Sequence, residues 1–464
     1  MYRAIAGFAL VIIVALTFAA PGFAQSQATT GVIEGTVSDE TGGRLPGASV
    51  TLVNQGTNFT REVSTDADGR FRGLLLPLGD YVVSVTLSGF GRYVQEEVQL
   101  GVGQTVNLPI TLRLSSVSQE VRVTAATPIV ETTRAESRTQ INEAAISNLP
   151  NNGRNFLSFM QLTPGVAIVQ GPDGDEISIN GQKGINNNIS VDGADFNNPF
   201  FGEQRGGQRP AFTFNQDAIQ EMVVVADGAA AEFGRSGAGF VNVVTKSGTN
   251  RFSGNLFEFN RDSRFNATDP FARVVNGERV KDGLSRNQYG GTVGGPILRD
   301  KLFFFGAYQG TRVVAQPTGN ISFVPTPAMI AGDFTALASP ACNGGTQVTL
   351  RAPFVNNRVA PALLSPAALK IANSGYLPST TDPCGQVTWE QPLDKNDWQG
   401  VGRVDYQWSA NHSLFARYMQ TFEFRLPAIE ATHNALTATN AIGPNRRARA
   451  QSFAFGDTQV LGTN

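Results

Sequence analysis

Histidine and cysteine are nearly missing from this sequence, with two of each in 464 residues. His412 and His433 alone argue against a histidine-built metal site and against a hydrolytic triad. An excess of one charge is missing too. The formal net charge is -2 and neither sign forms a long block, so nothing electrostatic points to nucleic acid as a partner. After the N-terminus, no stretch reaches the about 18 consecutive apolar residues that mark a spanning helix. With a mean hydropathy of -0.12, this is not a helical membrane protein. The mature chain is either soluble or crosses a membrane by strands.

What the sequence does hold is 50 glycines and 31 phenylalanines, a composition suited to many short strands joined by tight turns. Its length leads one to expect two or three domains. At the N-terminus Arg3 precedes an apolar run from Ile5 to Ala20, followed by Gly22-Phe23-Ala24. This reads as a secretory signal over residues 1–24, cleaved after Ala24. The alternative is a retained anchor, for which the run is short against the ~20 residues a spanning helix uses.

Residues 31–114 read as all-β. Val32-Ile33-Glu34-Gly35-Thr36-Val37, Ala48 to Val53, Tyr81 to Leu87 and Val106 to Leu114 are strand-like. Turn signals at Thr41-Gly42-Gly43, Asp68-Gly69 and Leu78-Gly79-Asp80 separate them at sandwich-like spacing. The pieces Gly35-Thr36-Val37, Leu45-Pro46-Gly47-Ala48, Thr65 to Phe71 and Gly79-Asp80-Tyr81 resemble the carboxypeptidase-regulatory-like domain. The resemblance implies a non-catalytic transthyretin-like β-sandwich, in a group whose members include carbohydrate-binding-like folds. Asp66-Ala67-Asp68-Gly69 could pass for part of a calcium loop, but Pro77 stands where an EF-hand needs its bidentate glutamate. A hairpin turn explains it better.

Residues 115–134 form a polar linker. Within it Glu120-Val121-Arg122-Val123-Thr124-Ala125 has two readings. It could be a last edge strand of the sandwich. It could also be a TonB box, an extended segment that a periplasmic energy-transducing protein captures by strand addition. Its position favours the second, because residues 135–248 resemble the plug domain of TonB-dependent receptors. That resemblance rests on Leu149-Pro150-Asn151-Asn152-Gly153-Arg154-Asn155-Phe156, Leu162 to Val166, Ile177 to Gly181, Asn188 to Gly193 and Ile219 to Val225. The most specific piece is Ala231 to Gly248, where a Gly-rich turn leads into a strand ending in Thr245-Lys246. Small residues there let backbones approach closely. No Gly-Lys-Ser/Thr ending is present, so these glycines do not form a phosphate loop. The Asn-Gly-Arg-Asn pattern with the N-terminal sandwich points to the Oar-like branch of that family.

Beyond residue 248 the pattern becomes strands of about 8 to 12 residues, as transmembrane barrels require. They are expected near Phe252–Asn260, Arg286–Gly294, Leu302–Arg312, Gln399–Trp408, Ser413–Phe424 and Arg449–Val460. Val404, Tyr406 and Trp408 alternate with Arg403, Asp405 and Gln407. Leu414, Ala416, Tyr418, Phe422 and Phe424 alternate with Arg417, Thr421 and Glu423. The apolar set is expected to meet outer-membrane lipid and the polar set the lumen, with Leu302-Phe303-Phe304-Phe305 anchoring in lipid. Connections alternate short and long, as periplasmic turns and extracellular loops do. The longest holds Cys342 and Cys384, which in an exported chain favour a disulfide over a redox pair, since the spacing is not Cys-x-x-Cys.

The fold expected is therefore mainly β: a transthyretin-like β-sandwich, then an α/β plug domain, then the first strands of an incomplete transmembrane β-barrel over residues 249–464. A barrel of this type needs about 22 strands, so this stretch is expected to be part of a larger wall and not to insert by itself. The family resemblance implies a receptor in the outer membrane with its N-terminal domain in the periplasm. It implies import of a bulky solute (a siderophore, glycan or peptide) by energy-coupled plug rearrangement, with no cofactor and no metal. Ligand contacts are expected from plug loops at Asp195, Asn197, Phe200, Phe201, Arg205 and Arg209, which could equally be loop packing. The rival is a surface adhesion or envelope-organising protein. No paired carboxylates or nucleophile elbow speak for an enzyme.

Overall fold

The computed structural model describes residues 28–114, 120–123, 136–171, 174–197, 215–229, 234, 236–270, 272, 274–275, 278–279, 281, 283–315, 320–375, 377–389, 393–425 and 446–461. The signal segment and Thr124, Ala125, Phe200, Phe201, Arg205 and Arg209 lie outside them. No helix among the described residues is long and apolar enough to cross a membrane.

The N-terminal unit is built from β1 (Thr30–Asp39), β2 (Ser49–Asn54), β3 (Thr60–Ser64), β4 (Arg70–Pro77), β5 (Gly79–Thr86), β6 (Arg92–Leu100), β7 (Thr105–Leu112) and β8 (Glu120–Val123). They form two sheets, in the orders β4-β1-β7 and β3-β2-β5-β6-β8. Period-two patterning decides which face is buried. In β7 Val106, Leu108, Ile110 and Leu112 point inward, while Asn107, Pro109 and Thr111 point outward. Pro109 is tolerated because β7 is an edge strand, where one side of the backbone needs no partner. The core includes Ile33, Leu52, Leu76 and Tyr81, and the Tyr81 hydroxyl donates to the Pro77 carbonyl at 2.7 Å. The Asp66 carboxylate accepts from the backbone N–H of Asp68 at 2.9 Å and Arg70 at 2.8 Å, which makes this segment a closed turn.

The second unit holds β9 (Ser137–Ile141), β10 (Val166–Gly171), β11 (Gly174–Ile179), β12 (Asn188–Val191), β13 (Ala194–Asp195), β14 (Ile219–Asp227) and β15 (Phe240–Thr245). Five of them make one sheet in the order β13-β12-β15-β14-β9, and β10 pairs with β11 as a separate hairpin. Every residue of β15 is buried, so its Val-rich sequence does not alternate. The short helix Glu143–Asn148 covers part of the sheet and buries Ile146.

The third unit is a six-stranded antiparallel sheet in sequence order. Its strands are β16 (Ser253–Asp262), β19 (Ser285–Leu298), β20 (Leu302–Ala315), β23 (Leu393–Ser409), β24 (His412–Arg425) and β25 (Arg446–Gln459). Two small hairpins lie in its long connections: β17 (Val274–Val275) with β18 (Glu278–Arg279), and β21 (Asn320–Phe323) with β22 (Gln386–Trp389). The strands reach 14 and 17 residues, longer than expected from sequence. About 9 to 11 residues span the hydrocarbon, so the extra residues extend the wall beyond it.

The alternation has the expected sense. Arg403 and Arg417 are buried toward the plug, whereas Val404, Trp408, Phe453 and Phe455 are exposed on the outer face. The run Leu302–Phe305 requires a correction. Phe303 and Phe305 are buried on the inner face, and Phe305 belongs to the same apolar cluster as plug residues Phe156 and Met222. A strand turns successive side chains to opposite faces, so only part of an aromatic run can meet lipid.

The longest connection carries two short helices, Pro327–Ile330 and Pro366–Ala372. A disulfide joins Cys342 to Cys384 across 42 positions. Closing a loop of that size stabilises by up to ~4 kcal/mol on the chain-entropy argument.

Candidate functional site

The buried junction of plug and wall is the most chemically loaded place in the chain. It begins with Asp192, which follows β12 and adopts the left-handed conformation, φ 52°. Its carboxylate accepts from the backbone N–H of Thr245 at 2.8 Å and from the Thr245 hydroxyl at 2.9 Å. Both acceptor oxygens are then met by the barrel. Arg403 Nη1 lies 3.0 Å from Oδ1, and Arg417 Nε lies 2.8 Å from Oδ2. All three side chains are almost fully shielded from water.

The register of the wall explains why this carboxylate is needed. Arg403 and Arg417 are direct cross-strand partners on β23 and β24. Like charges placed opposite each other destabilise a sheet. Here Asp192 from the plug and Asp405 from the wall, 2.8 Å from Arg403 Nη2, balance the two guanidiniums. Arg403 also donates to the Thr245 carbonyl at 3.0 Å and lies 4.8 Å from the Phe415 ring centroid. Truncating one member of such a buried network leaves an uncompensated charge, a cost of about 3–5 kcal/mol.

A second tether uses the Asn-Gly-Arg-Asn segment. Arg154, at φ 57°, pairs with Asp217 of the plug. Its guanidinium sits 4.5 Å from the ring centroids of both Phe257 and Phe259 on β16. Gln288 of the wall donates to the Gly153 carbonyl at 3.2 Å, and Arg261 donates to Asn152 at 3.0 Å. Asn155 caps the following 3-10 turn by accepting from Leu157 N–H. The segment is therefore a contact piece between plug and first strand.

Where the chain leaves the plug, Lys246 Nζ pairs with Glu143 at 2.7 Å. Gly248 then passes so close to the wall that a Cβ would overlap the carbonyl oxygens of Phe304 and Gly295. Both partners are backbone and cannot swing aside, so only glycine fits.

Of the residues singled out from sequence, Asp195 ends β13, and its carboxylate accepts from the Asn197 backbone and side chain at 2.7 and 2.8 Å. Asn197 is buried, and its amide also reaches Asn188 Oδ1 at 2.7 Å. For Asn197, burial supports loop packing over ligand contact. Glu120 to Val123 is the terminal strand of the sandwich sheet, parallel to β6, with Arg122 paired to Glu96 at 3.2 Å. Sequence reasoning did not bring together Asp192, Arg403 and Arg417. The signal was two arginines at lumen-facing positions of neighbouring strands, which demand an anion from elsewhere.

Three families match consecutive parts of the chain: a carboxypeptidase regulatory-like domain over residues 32–113, a TonB-dependent receptor plug domain over 131–241, and an outer membrane β-barrel domain over 244–464. The TonB-dependent transporter Oar of Myxococcus xanthus is 31% identical over 313 residues, covering 64% of this chain and 28% of that protein. The chain thus spans under a third of the curated relative it matches. Among solved structures, the outer membrane transporter YddB of Escherichia coli aligns with a TM-score of 0.43 at 12% identity, over 70% of this chain and 37% of that one. The ferric enterobactin receptor of Pseudomonas aeruginosa aligns at 0.41 and 14%, over 71% and 40%. Sandwich, plug and outer-membrane wall in this order, with the relative they match, make the chain a member of the TonB-dependent outer-membrane receptor family, similar to Oar.

Proposed function

We propose that this chain serves energy-coupled import of a bulky solute across the outer membrane. The observation that carries the reading is the plug seated against the wall by Asp192, Arg403 and Arg417. A polar junction of this kind has discrete made and broken states. An apolar seam alone would give the plug no defined alternative, whereas a charge network with a few competing hydrogen-bond partners can be exchanged. The segment Glu120 to Ala125 is the proposed grip for the periplasmic energy-transducing protein. Its β-rich sequence and the edge position of Glu120–Val123 suit capture by strand addition. The exposed aromatic outer face is proposed to meet lipid. The solute is proposed to be a siderophore, glycan or peptide, and no catalytic step is invoked.

The competing reading is a surface adhesion or envelope-organising role. Deleting Glu120 to Ala125 separates them. The expected result is loss of growth on the limiting solute with the receptor still present in the outer membrane. Unchanged growth in every nutrient tested, with adhesion or envelope integrity altered by removal of the whole protein, would overturn import.

A further inference from the structure

The N-terminal sandwich touches both the plug and the wall, through contacts that none of its internal packing requires. Val102, between β6 and β7, leaves the sandwich core and joins Val223, Val225, Phe240 and Val244 of the plug in a separate apolar cluster. Around it the polar groups interlock. Glu221 of β14 accepts from the Val102 backbone N–H, and Gln140 of β9 donates to Glu221 at 2.8 Å. Arg138 donates to the Val102 and Gly103 carbonyls at 2.8 and 3.0 Å, and Asn242 of β15 donates to the Ala28 carbonyl.

Gly101 gives the clearest sign that this is a built interface. A Cβ there would overlap the Gln140 side chain and crowd Glu221, and its three nearest atoms all belong to the plug. The atoms a side chain would meet first here are the ends of the Gln140 and Glu221 side chains, so a bulky residue would displace the polar groups of the docked face.

The same unit also holds the short-turn end of the wall. Arg61 of β3 donates through Nε and Nη2 to the Ala410 carbonyl at 3.0 and 2.6 Å, in the turn between β23 and β24. Asn58 donates to Asp300 at 2.9 Å, in the turn between β19 and β20. Asn250, on the connector from plug to barrel, donates its backbone N–H to the Gly56 carbonyl at 2.8 Å. One sandwich thus contacts the plug, the connector that follows it and the wall.

We infer that the N-terminal sandwich is a periplasmic latch that retains the plug, so that plug rearrangement requires the sandwich to undock from β14, β9 and the two short turns. The inference rests on the reading of the plug as a movable gate and adds the element that restrains it. Because β8 is part of the sandwich sheet, tension applied there loads the latch before it reaches the plug.

The test uses the receptor expressed from its own locus, with Gly101→Leu to wedge the docked face and Arg61→Ala to free the wall contact. Two readouts are taken: entry of a large antibiotic that intact outer membranes exclude, and hydrogen exchange of the purified receptor in β14, with β2 and β5 as internal reference for the sandwich fold. Both variants should admit the antibiotic several-fold faster. Exchange in β14 should rise by about tenfold or more, the factor expected for losing one hydrogen bond to a charged group. The reference strands should stay protected. Should Gly101→Leu unprotect β2 and β5, Arg61→Ala, which lies outside the docked plug face, decides. Wild-type antibiotic exclusion and β14 exchange in the deciding variant would overturn the latch. Neither readout depends on uptake. A latch failure therefore leaves import standing, and loss of import leaves the latch standing.

Discussion

Arg403 and Arg417 face each other across β23 and β24, and the carboxylate between them comes from the plug. The wall is therefore electrostatically unfinished until the plug is seated. Asp192→Ala should destabilise plug seating by about 3–5 kcal/mol. Asp192→Asn should cost less, because the amide oxygen can still accept from Thr245. Removing Arg417 together with the carboxylate (Asp192→Ala with Arg417→Met) should recover part of the loss. Denaturant titration of plug release checks this, and strictly additive single and double variants would contradict the coupling.

Arg154 pairs with Asp217 and sets its guanidinium 4.5 Å from the centroids of two phenylalanine rings of β16. Lysine keeps the charge but loses the flat guanidinium, so Arg154→Lys is not a conservative change here. It should lower stability by roughly 1–3 kcal/mol, from ring contacts worth about 0.5–2 kcal/mol each and a weakened ion pair. Urea unfolding in detergent measures it. A lysine variant with the wild-type midpoint would show that the stacking contributes nothing.

Glu221 gives the folded chain a pH dependence. Burial raises its carboxyl above the ordinary glutamate value, against the lowering effects of Gln140, the Val102 N–H and Arg138. The folded state therefore binds the proton more tightly than the unfolded one. This contribution is fully present below the ordinary value of 4.5 and is lost as pH rises through the elevated folded-state value. Glu221 should favour the folded state more at mildly acidic than at neutral pH, and Glu221→Gln should flatten that difference. Taking the wild type minus Glu221→Gln difference in unfolding midpoint across this range removes the effect of other carboxylates. An increase in that difference with pH would refute the assignment.

Much of the fold could be read in the residues because it depends on local periodicity. Val404, Tyr406 and Trp408 against Arg403 and Asp405 mark β23 and its two faces in the sequence alone. Its length fell short because Leu393 to Trp398 mixes charges with apolar residues and breaks the alternation. The helices at Pro327 and Pro366 were missed although each carries a legible start, a Thr326 or Ser365 cap followed by proline at the first helical position. The junction of Asp192 with Arg403 was not legible. Its partners are 211 positions apart, and no pattern along one strand states which distant anion will meet a luminal arginine.

The 17 residues of β23 carry one more consequence. At about 3.3 Å per residue the strand is roughly 56 Å long, and tilted by about 45° it still rises roughly 40 Å. An apolar band about 25 Å tall accounts for only part of that height. Some ~15 Å of strand height therefore lies outside the hydrocarbon, a collar of backbone-paired wall that stands in water and holds the long connections off the lipid.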